Sequence, residues 1–171
     1  TDLIGVKMKL MSKLLEISNE VFSNLGGGNF TEDDFQWAFG YECDHQKIEY
    51  LREMRLEIFY KNIPIKLGAP DFVLTKTRPK SIIEIKLGQE IKNDHRQQLS
   101  QYLKSINKRP IKTLGKINNG FLINFYKNEP LYHSEYKKGR TYHKIIIEHF
   151  KFMKEDHMKH IATEKLGQTN L

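Results

Sequence analysis

Two carboxylates and a lysine stand close together in a stretch that has the pattern of paired strands. Residues 72–74 and 82–85 are apolar runs rich in β-branched side chains, and a polar segment with a proline separates them. This pattern predicts a strand, a turn and a second strand. Residues two apart on a strand share a face, so Glu84 and Lys86 stand side by side, and Asp71 joins them from the first strand. Two carboxylates beside an ammonium group predict a magnesium site that can hold a water or a phosphate.

An alternative reading of Glu84 and Lys86 is that they lie on the solvent-exposed face of an ordinary sheet, which has the same alternation. Support for a metal site must therefore come from elsewhere in the chain. The segment from Thr31 to about Gln46 predicts a helix with a Thr31 cap and an apolar stripe. Glu32 lies on that stripe, where an acidic group is costly unless it is paired or binds metal. The same residue is also well placed to interact only with the helix dipole.

A later helix presents polar residues that suit the border of a polar site. It is predicted to begin near Asn93, which is a good cap residue, and to end before Pro110. His95, Gln98 and Tyr102 share one face of it, next to an apolar stripe. An ordinary amphipathic helix with polar flanks has the same pattern, so the helix alone does not identify a site.

The other elements are predicted from periodicity and turn residues. Residues 8–24 read as an amphipathic helix that ends at a run of three glycines, and residues 54–65 read as a hairpin. Residues 120–125 predict another strand, and residues 128–140 a loop. Residues 141–164 predict a final helix, because apolar side chains recur there at helical spacing.

Composition limits the class of protein. The 171 residues are enough for one domain with a full core, and no apolar run approaches the ~20 residues of a membrane helix. The single cysteine, Cys43, excludes an internal disulfide and a zinc or iron–sulfur site held by several cysteines. With no signal peptide in view, we expect an intracellular protein of the cytoplasm or nucleus. The net charge of +7 suits a polyanionic partner such as nucleic acid, or serves solubility alone.

Taken in order, these motifs resemble a known superfamily. Asp71 followed by Glu84-x-Lys86 resembles the PD-(D/E)xK signature of the restriction-endonuclease-like superfamily. More closely, the chain resembles the GxxExxY family within it, whose Leu-Gly-x-Gly and Glu-x-x-Tyr segments correspond to residues 25–28 and 32–35. One extra residue precedes the glutamate here, and a phenylalanine stands in place of the tyrosine.

Two further motifs of the GxxExxY family follow in the expected order. Its His-x-x-Gln-Leu-x-x-Tyr-Leu segment is similar to residues 95–103, and its closing Gly-Leu-Leu-Asn-Phe strand is similar to residues 120–125. The resemblance thus covers about residues 14–127, and the order and spacing of the motifs are more specific than any one of them.

The resemblance implies an α/β fold with a restriction-endonuclease-like core. The core is expected to be a central mixed sheet of about four or five strands with helices on both faces, followed by the predicted C-terminal helix. The whole of residues 1–171 is expected to form one nuclease-like domain, with its core at about 14–127 and a helical extension at about 128–171.

The resemblance also implies metal-dependent hydrolysis of phosphodiester bonds, with DNA rather than RNA as the expected substrate. Asp71 and Glu84 would hold Mg²⁺ or Mn²⁺ together with the carbonyl of Ile85, and Glu32 would reach the same ion from its helix. Lys86 would position or help to deprotonate the attacking water and would offset charge in the transition state.

The remaining expected roles fall on the helix that begins near Asn93 and on the segment after it. Gln98 would orient the lysine or the phosphate, with Tyr102 behind it. Five basic residues are expected to follow the nucleic-acid backbone, namely Arg96, Lys104, Lys108, Arg109 and Lys112. We expect no contact with a membrane, and the sequence leaves the oligomeric state open, with a dimer as one of the states compatible with it.

Two other functions are compatible with the same sequence. The chain can be a nuclease-fold module that binds nucleic acid or a protein partner without cutting, although an intact Asp71, Glu84 and Lys86 argue against this. It can also be a protein-interaction domain whose basic surface serves only solubility. Salt-dependent affinity for nucleic acid separates the last reading from the first two, and metal-dependent cleavage separates those two from each other.

Overall fold

A six-stranded mixed sheet forms the centre of the molecule. A computed structural model describes residues 9–128, 141–154 and 156–170, so the predicted loop at 128–140 lies almost wholly outside the described residues. The helices are α1 (Leu10–Leu25), α2 (Glu32–His45) and α3 (Asn93–Lys108). The strands are β1 (Tyr50–Arg52), β2 (Leu56–Tyr60), β3 (Ile63–Gly68), β4 (Phe72–Leu74), β5 (Ser81–Gly88), β6 (Asn119–Tyr126), β7 (Thr141–Tyr142), β8 (Ile145–Met153), β9 (His157–Leu166) and β10 (Thr169–Asn170).

The strand order in the large sheet is β1-β4-β5-β6-β8-β9, and β2 with β3 and β7 with β10 form two small separate sheets. Among the described strands of the large sheet, only β5 and β6 are parallel, and α3 lies in the connection between them. A parallel pair needs such a crossover, because its strands run in the same direction. The predicted α/β class and mixed sheet are therefore confirmed, with six strands in place of the four or five expected.

β5 is buried on both faces over its first half, which explains its nearly continuous apolar sequence. Ile83 and Ile85 pack into one core with α1 and α2, whereas Ile82 packs into a second core with α3. Helices thus cover both faces of the sheet, as predicted. Among the described residues, no helix is both long enough and apolar enough to cross a bilayer.

The start of α2 is set by a capping box. The Thr31 hydroxyl accepts a hydrogen bond from the Asp34 N–H at 3.3 Å, and the Asp34 carboxylate accepts one from the Thr31 N–H at 2.8 Å. This reciprocal pair satisfies two of the backbone donors that a helix leaves free at its N-terminus. Glu32 is therefore the first residue of the helix, as the sequence predicts.

The predicted C-terminal helix at 141–164, and with it the helical extension, is wrong. This part of the chain contains β8 and β9, which pair antiparallel with each other and complete the large sheet. Ile145 and Ile147 belong to the core beneath α1 and α2, while Phe150 belongs to the core beneath α3.

The error has a physical cause. The apolar side chains of residues 141–164 fit helical spacing and strand alternation equally well, and β-branched isoleucines favour strands. β6 has a free edge for another strand, and β8 pairs along it. In that position the side chains on both faces of β8 lie against the rest of the protein, which favours a strand over a helix. Such a long-range partner cannot be seen in a local pattern.

Candidate active site

One edge of β5 is left without a neighbouring strand over its second half. The short β4 pairs only with residues 81–83 of β5, so residues 84–88 have no strand beside them on that side within the described structure. Backbone N–H groups that face a missing strand need other acceptors. Asp71 accepts a hydrogen bond from the Ile85 N–H at 2.7 Å, and Glu32 accepts one from the Leu87 N–H at 3.3 Å. Two carboxylates thus replace the strand along this open edge of β5.

Asp71 and Glu84 are tied together at the start of the open edge. The Glu84 carboxylate accepts a hydrogen bond from the Asp71 N–H at 3.1 Å, and the Glu84 side chain is almost wholly buried. Burial, followed by repulsion from Asp71, raises the pKa of Glu84 well above its ordinary value. Burial also raises the pKa of Asp71, against the opposing effects of the Ile85 N–H and of Lys86. Without a bound cation, the negative charges of Asp71 and Glu84 are therefore only partly compensated.

Glu32 feels the same surroundings from the other end of the edge. Burial raises the pKa of Glu32, Lys86 opposes the rise, and Asp71 adds to it. The sequence placed Glu32 on the inward face of α2, and the structure brings it to the edge that also holds Asp71. The contact joins residues 55 positions apart, Glu32 and Leu87.

Lys86 lies between the carboxylates and α3. Its ammonium nitrogen is 4.0 Å from a carboxylate oxygen of Glu84 and donates a hydrogen bond to the Gln98 side-chain oxygen at 3.1 Å. The Gln98 amide nitrogen in turn donates to the Tyr102 hydroxyl at 3.2 Å. Burial, followed by the charges of Glu84 and Asp71, raises the pKa of Tyr102 to about 12, so this tyrosine stays protonated. Gln98 and Tyr102 thus form a chain of hydrogen bonds that fixes the position of the lysine ammonium group.

His95 and Arg52 also lie around the site, although the sequence predicts no role for either of them there. The His95 Nδ1 accepts a hydrogen bond from the Lys92 N–H at 3.0 Å, and burial, followed by Lys86, lowers the pKa of His95. Its helical spacing from Gln98 is the signal that pointed to it. Arg52 reduces the pKa rise of Asp71 and lies 4.7 Å from the centre of the Phe72 ring. No local pattern reveals Arg52, because it reaches Asp71 through the pairing of β1 with β4.

The oxygen donors at the open edge fit a hard divalent cation. No three His, Cys, Asp or Glu side chains in the described ranges converge into a preformed metal cluster. Mg²⁺ needs no such cluster, because it binds through one or two carboxylates and keeps several waters. Asp71 and Glu84 supply two carboxylates, and the Ile85 carbonyl faces the same edge as its N–H. The residues present therefore fit Mg²⁺ or Mn²⁺, with Glu32 further along the edge.

Five basic residues were predicted to bind the nucleic-acid backbone. Two of them form ion pairs with acidic side chains on the C-terminal strands or on the turn between these strands. Arg96 makes a two-pronged contact with Glu148, at 2.7 and 2.9 Å. Lys104 lies 3.7 Å from Asp156 in an exposed ion pair. Exposed pairs of this kind open readily in water, whereas the Arg96 pair is partly buried.

The other three cations lie at the C-terminal end of α3 and just beyond it. Lys108 donates hydrogen bonds to the Lys61 carbonyl and the Asn62 side chain at 2.7 Å each, and Arg109 pairs with Glu57. Lys112 is exposed in the turn after α3. Four of the five side chains are thus bound within the protein, and the basic surface is less free than the sequence alone suggests.

Glu84→Gln is expected to stabilise the metal-free protein by about 0.5–2 kcal/mol at neutral pH. The folded carboxyl binds its proton more tightly than the unfolded one, so ionisation of Glu84 costs stability above the ordinary carboxyl range. The gain should disappear at acid pH, where Glu84 is protonated in both states. Denaturant unfolding in the presence of a chelator measures it. Glu148→Gln is the matched control and should lower stability, because it breaks the ion pair with Arg96. A similar loss in Glu84→Gln would contradict the inference that ionised Glu84 destabilises the folded protein.

Comparison with known proteins gives one match. A family model described as the PD-(D/E)XK nuclease superfamily matches residues 8–138, which include all of α1, α2, α3 and β5. No curated protein and no solved structure was found to match the chain.

Proposed function

This chain belongs to the PD-(D/E)XK nuclease superfamily, and from that premise we propose that it is a metal-dependent nuclease that hydrolyses phosphodiester bonds in DNA. One observation carries the proposal: the Asp71 and Glu84 carboxylates meet at the open edge of β5 with the Lys86 ammonium beside them. Burial raises the pKa of both carboxyl groups, and the charge of Asp71 raises that of Glu84 further, so the ionised pair costs stability that a bound cation would offset.

The metal ligands in this proposal are Asp71, Glu84 and the Ile85 carbonyl, with Glu32 completing the set directly or through a water. A bound Mg²⁺ or Mn²⁺ lowers the pKa of a coordinated water and neutralises charge on the phosphoryl oxygens. The protein fixes the donors in advance, because backbone N–H groups of β5 hold the carboxylates of Asp71 and Glu32. A preorganised donor set of this kind reduces the cost of ordering during the reaction.

Lys86 is the group that we assign to the attacked phosphate. Its ammonium lies at the same edge as the carboxylates, and its bond to Gln98 holds it there. In that position the ammonium stabilises negative charge as the bond to the attacking water forms. Only the neutral amine, after the ammonium has given its proton to solvent, can accept a proton from that water. Gln98 acts as a positioning residue because it binds the Lys86 ammonium, and Tyr102 in turn binds Gln98.

The finer assignment within the superfamily is also a proposal. We place the chain in the GxxExxY family, and the observation in favour is the glutamate for which that family is named. Glu32 is the first residue of α2 and reaches the backbone of β5, which gives its family motif a physical function. The substitution of Phe35 for the family's tyrosine fits this reading, because Phe35 is buried against Phe125 and needs no hydroxyl.

Nucleic acid is the proposed partner, with DNA preferred over RNA. The net charge of +7 favours a polyanion, although Arg96, Lys104, Lys108 and Arg109 are engaged within the protein. The exposed pairs among them are weak and can exchange a carboxylate for a phosphate. Lys112 and these exposed cations therefore remain the proposed backbone contacts.

A panel of labelled single-stranded and duplex DNA and RNA, incubated with the full chain and Mn²⁺, tests the proposal. We expect cleavage of DNA that stops when a chelator removes the metal, and faster cleavage of DNA than of RNA. Asp71→Asn serves as the inactive control, because it keeps the side-chain volume and the hydrogen-bond acceptor but loses the charge. Tight binding of the same oligonucleotides, with salt-dependent affinity but no cleavage in any metal, would replace the nuclease by a non-catalytic binding module.

A further inference from the structure

A cavity of about 260 Å³ opens at the end of the open edge of β5, beyond Glu32. Its walls come from the end of α1 and the glycine run after it, from α2, from the end of β5 and from the end of β6. The side chains that form most of the wall are Leu25, Phe30, Phe35, Leu87 and Tyr126. We call it the glycine-loop cavity. Its residues lie within the described part of the chain, and the proposed catalytic roles use none of their side chains.

The glycine-loop cavity adjoins the candidate site through two residues. Leu87 lines it and donates its N–H to Glu32, and Leu87 directly follows Lys86 in β5. Phe35 lines it from α2, one turn after Glu32. Neighbouring residues of a strand point to opposite faces, so the cavity lies on the α1 and α2 side of the sheet and Lys86 on the α3 side. Glu32, at the open edge of β5, stands between them.

The lining has the chemistry of an aromatic stacking site. Phe30 lies outside the helices and is 36% exposed, so part of its side chain is open to solvent. The ring lies against Gly28, where an ideal Cβ would come within 2.7 Å of it, so only glycine permits this arrangement. Phe35 packs on Phe125 with ring centres 4.8 Å apart and forms the buried end of the cavity.

Polar groups stand at the mouth of this apolar cavity. Lys127 and Asn128 line it, and the Lys127 ammonium donates a hydrogen bond to the Phe30 carbonyl at 3.0 Å. The Tyr126 hydroxyl is buried and has no hydrogen-bond partner among the described residues. An apolar cavity with a few polar groups at its rim is the usual form of a small-molecule site. Its volume lies just below the ~300–1,000 Å³ typical of such sites, which suits one ring system better than a base pair.

We propose that the glycine-loop cavity binds one unpaired nucleobase of the strand that is cut, stacked on Phe30. The inference rests on the proposed nuclease function and adds the substrate class: a strand with an unpaired base close to the open edge of β5, on the Glu32 side of the candidate site. Every base has a face that stacks on an aromatic ring, so the cavity selects single-stranded or flipped nucleotides without reading sequence. The ammonium of Lys127 at the rim favours the phosphates on either side of the bound base.

Binding of two labelled single-stranded oligonucleotides tests this inference, one with all its bases and one with abasic residues throughout. The full chain with Lys86→Ala is used in Mn²⁺ so that cleavage is slow, and affinity is measured by fluorescence anisotropy. We expect about tenfold tighter binding of the oligonucleotide that has bases, as is typical of base stacking on one aromatic ring. Phe30→Ala added to this chain should reduce the preference to about twofold or less.

The controls separate the cavity from other aromatic surfaces. Trp37→Ala removes a ring that is 66% exposed on α2 outside the cavity, and it should keep the tenfold preference. Phe30→Trp should also keep it, which shows that loss in Phe30→Ala comes from stacking and not from misfolding. Equal affinity for the two oligonucleotides in a protein that cuts DNA would overturn the cavity and leave the nuclease function intact. Loss of the preference in Trp37→Ala would also overturn it, whereas absence of both binding and cleavage would overturn both proposals.

Discussion

Lys86→Ala is expected to slow DNA cleavage by a factor of about 10²–10³, the usual cost of losing one preorganised electrostatic group. The ammonium acts when charge develops on the attacked phosphate, so the loss should fall on kcat more than on KM. Binding of metal should persist, because a protonated lysine is not a metal ligand. Single-turnover cleavage of labelled DNA in saturating Mn²⁺ measures the effect.

Three variants define what the loss at Lys86 means. Lys86→Arg should not restore full activity, because the planar guanidinium cannot take the place of a compact ammonium or act as a base. Lys165→Ala removes an exposed lysine of β9, three strands away from β5 in the large sheet, and should cut at nearly the parent rate. Gln98→Ala should give a smaller loss than Lys86→Ala, since it frees the lysine without removing it. Cleavage by Lys86→Ala at the parent rate would contradict the assigned mechanism.

Local patterns were sufficient where neighbours in sequence are also neighbours in space. β4 and β5 are joined by a short turn, and their register aligns Phe72 with Ile83, which brings Asp71 beside Glu84. The alternation of residues in β5 then places Glu84 and Lys86 on one face. The capping box at Thr31 and the stripe of α3 are likewise local. α2 begins where the sequence predicts, and α3 begins near the predicted position but with Lys92, not Asn93, as its cap.

Contacts between segments that are distant in the chain could not be predicted from the sequence. Glu32 and Leu87 meet across 55 positions, and the sequence predicts only that Glu32 faces inward. The pairing of Arg96 with Glu148 was missed for the same reason, because residues 141–164 were assigned to a helix and their partners on β6 could not be foreseen. The tertiary environment decides between helix and strand when an apolar segment fits both periods.

The shortness of β4 explains both the geometry of the candidate site and the stability that its carboxylates cost. β4 stops after three residues, and the carboxylates of Asp71 and Glu32 then occupy positions where a backbone carbonyl of a longer strand would accept hydrogen bonds. A neutral carbonyl would satisfy those N–H groups without repulsion. Ionised carboxylates in the same positions repel one another in a partly buried setting, and a cation relieves that repulsion. In the proposed function, the open edge of β5 would therefore link the stability of the protein to a bound metal.

Mn²⁺ is accordingly expected to raise the melting temperature of the parent protein. Linkage predicts a gain of about 2.7 kcal/mol at a metal concentration 100 times Kd, which corresponds to about 5–10 °C for a domain of this size. The double variant Asp71→Asn with Glu84→Gln should start from a higher melting temperature without metal, because it lacks the repulsion, and should show almost no rise with Mn²⁺. Thermal unfolding followed by circular dichroism, with and without Mn²⁺, measures both quantities. Glu148→Gln removes a carboxylate outside the site and should keep the full rise; an equal rise in the double variant would show that Asp71 and Glu84 do not hold the metal.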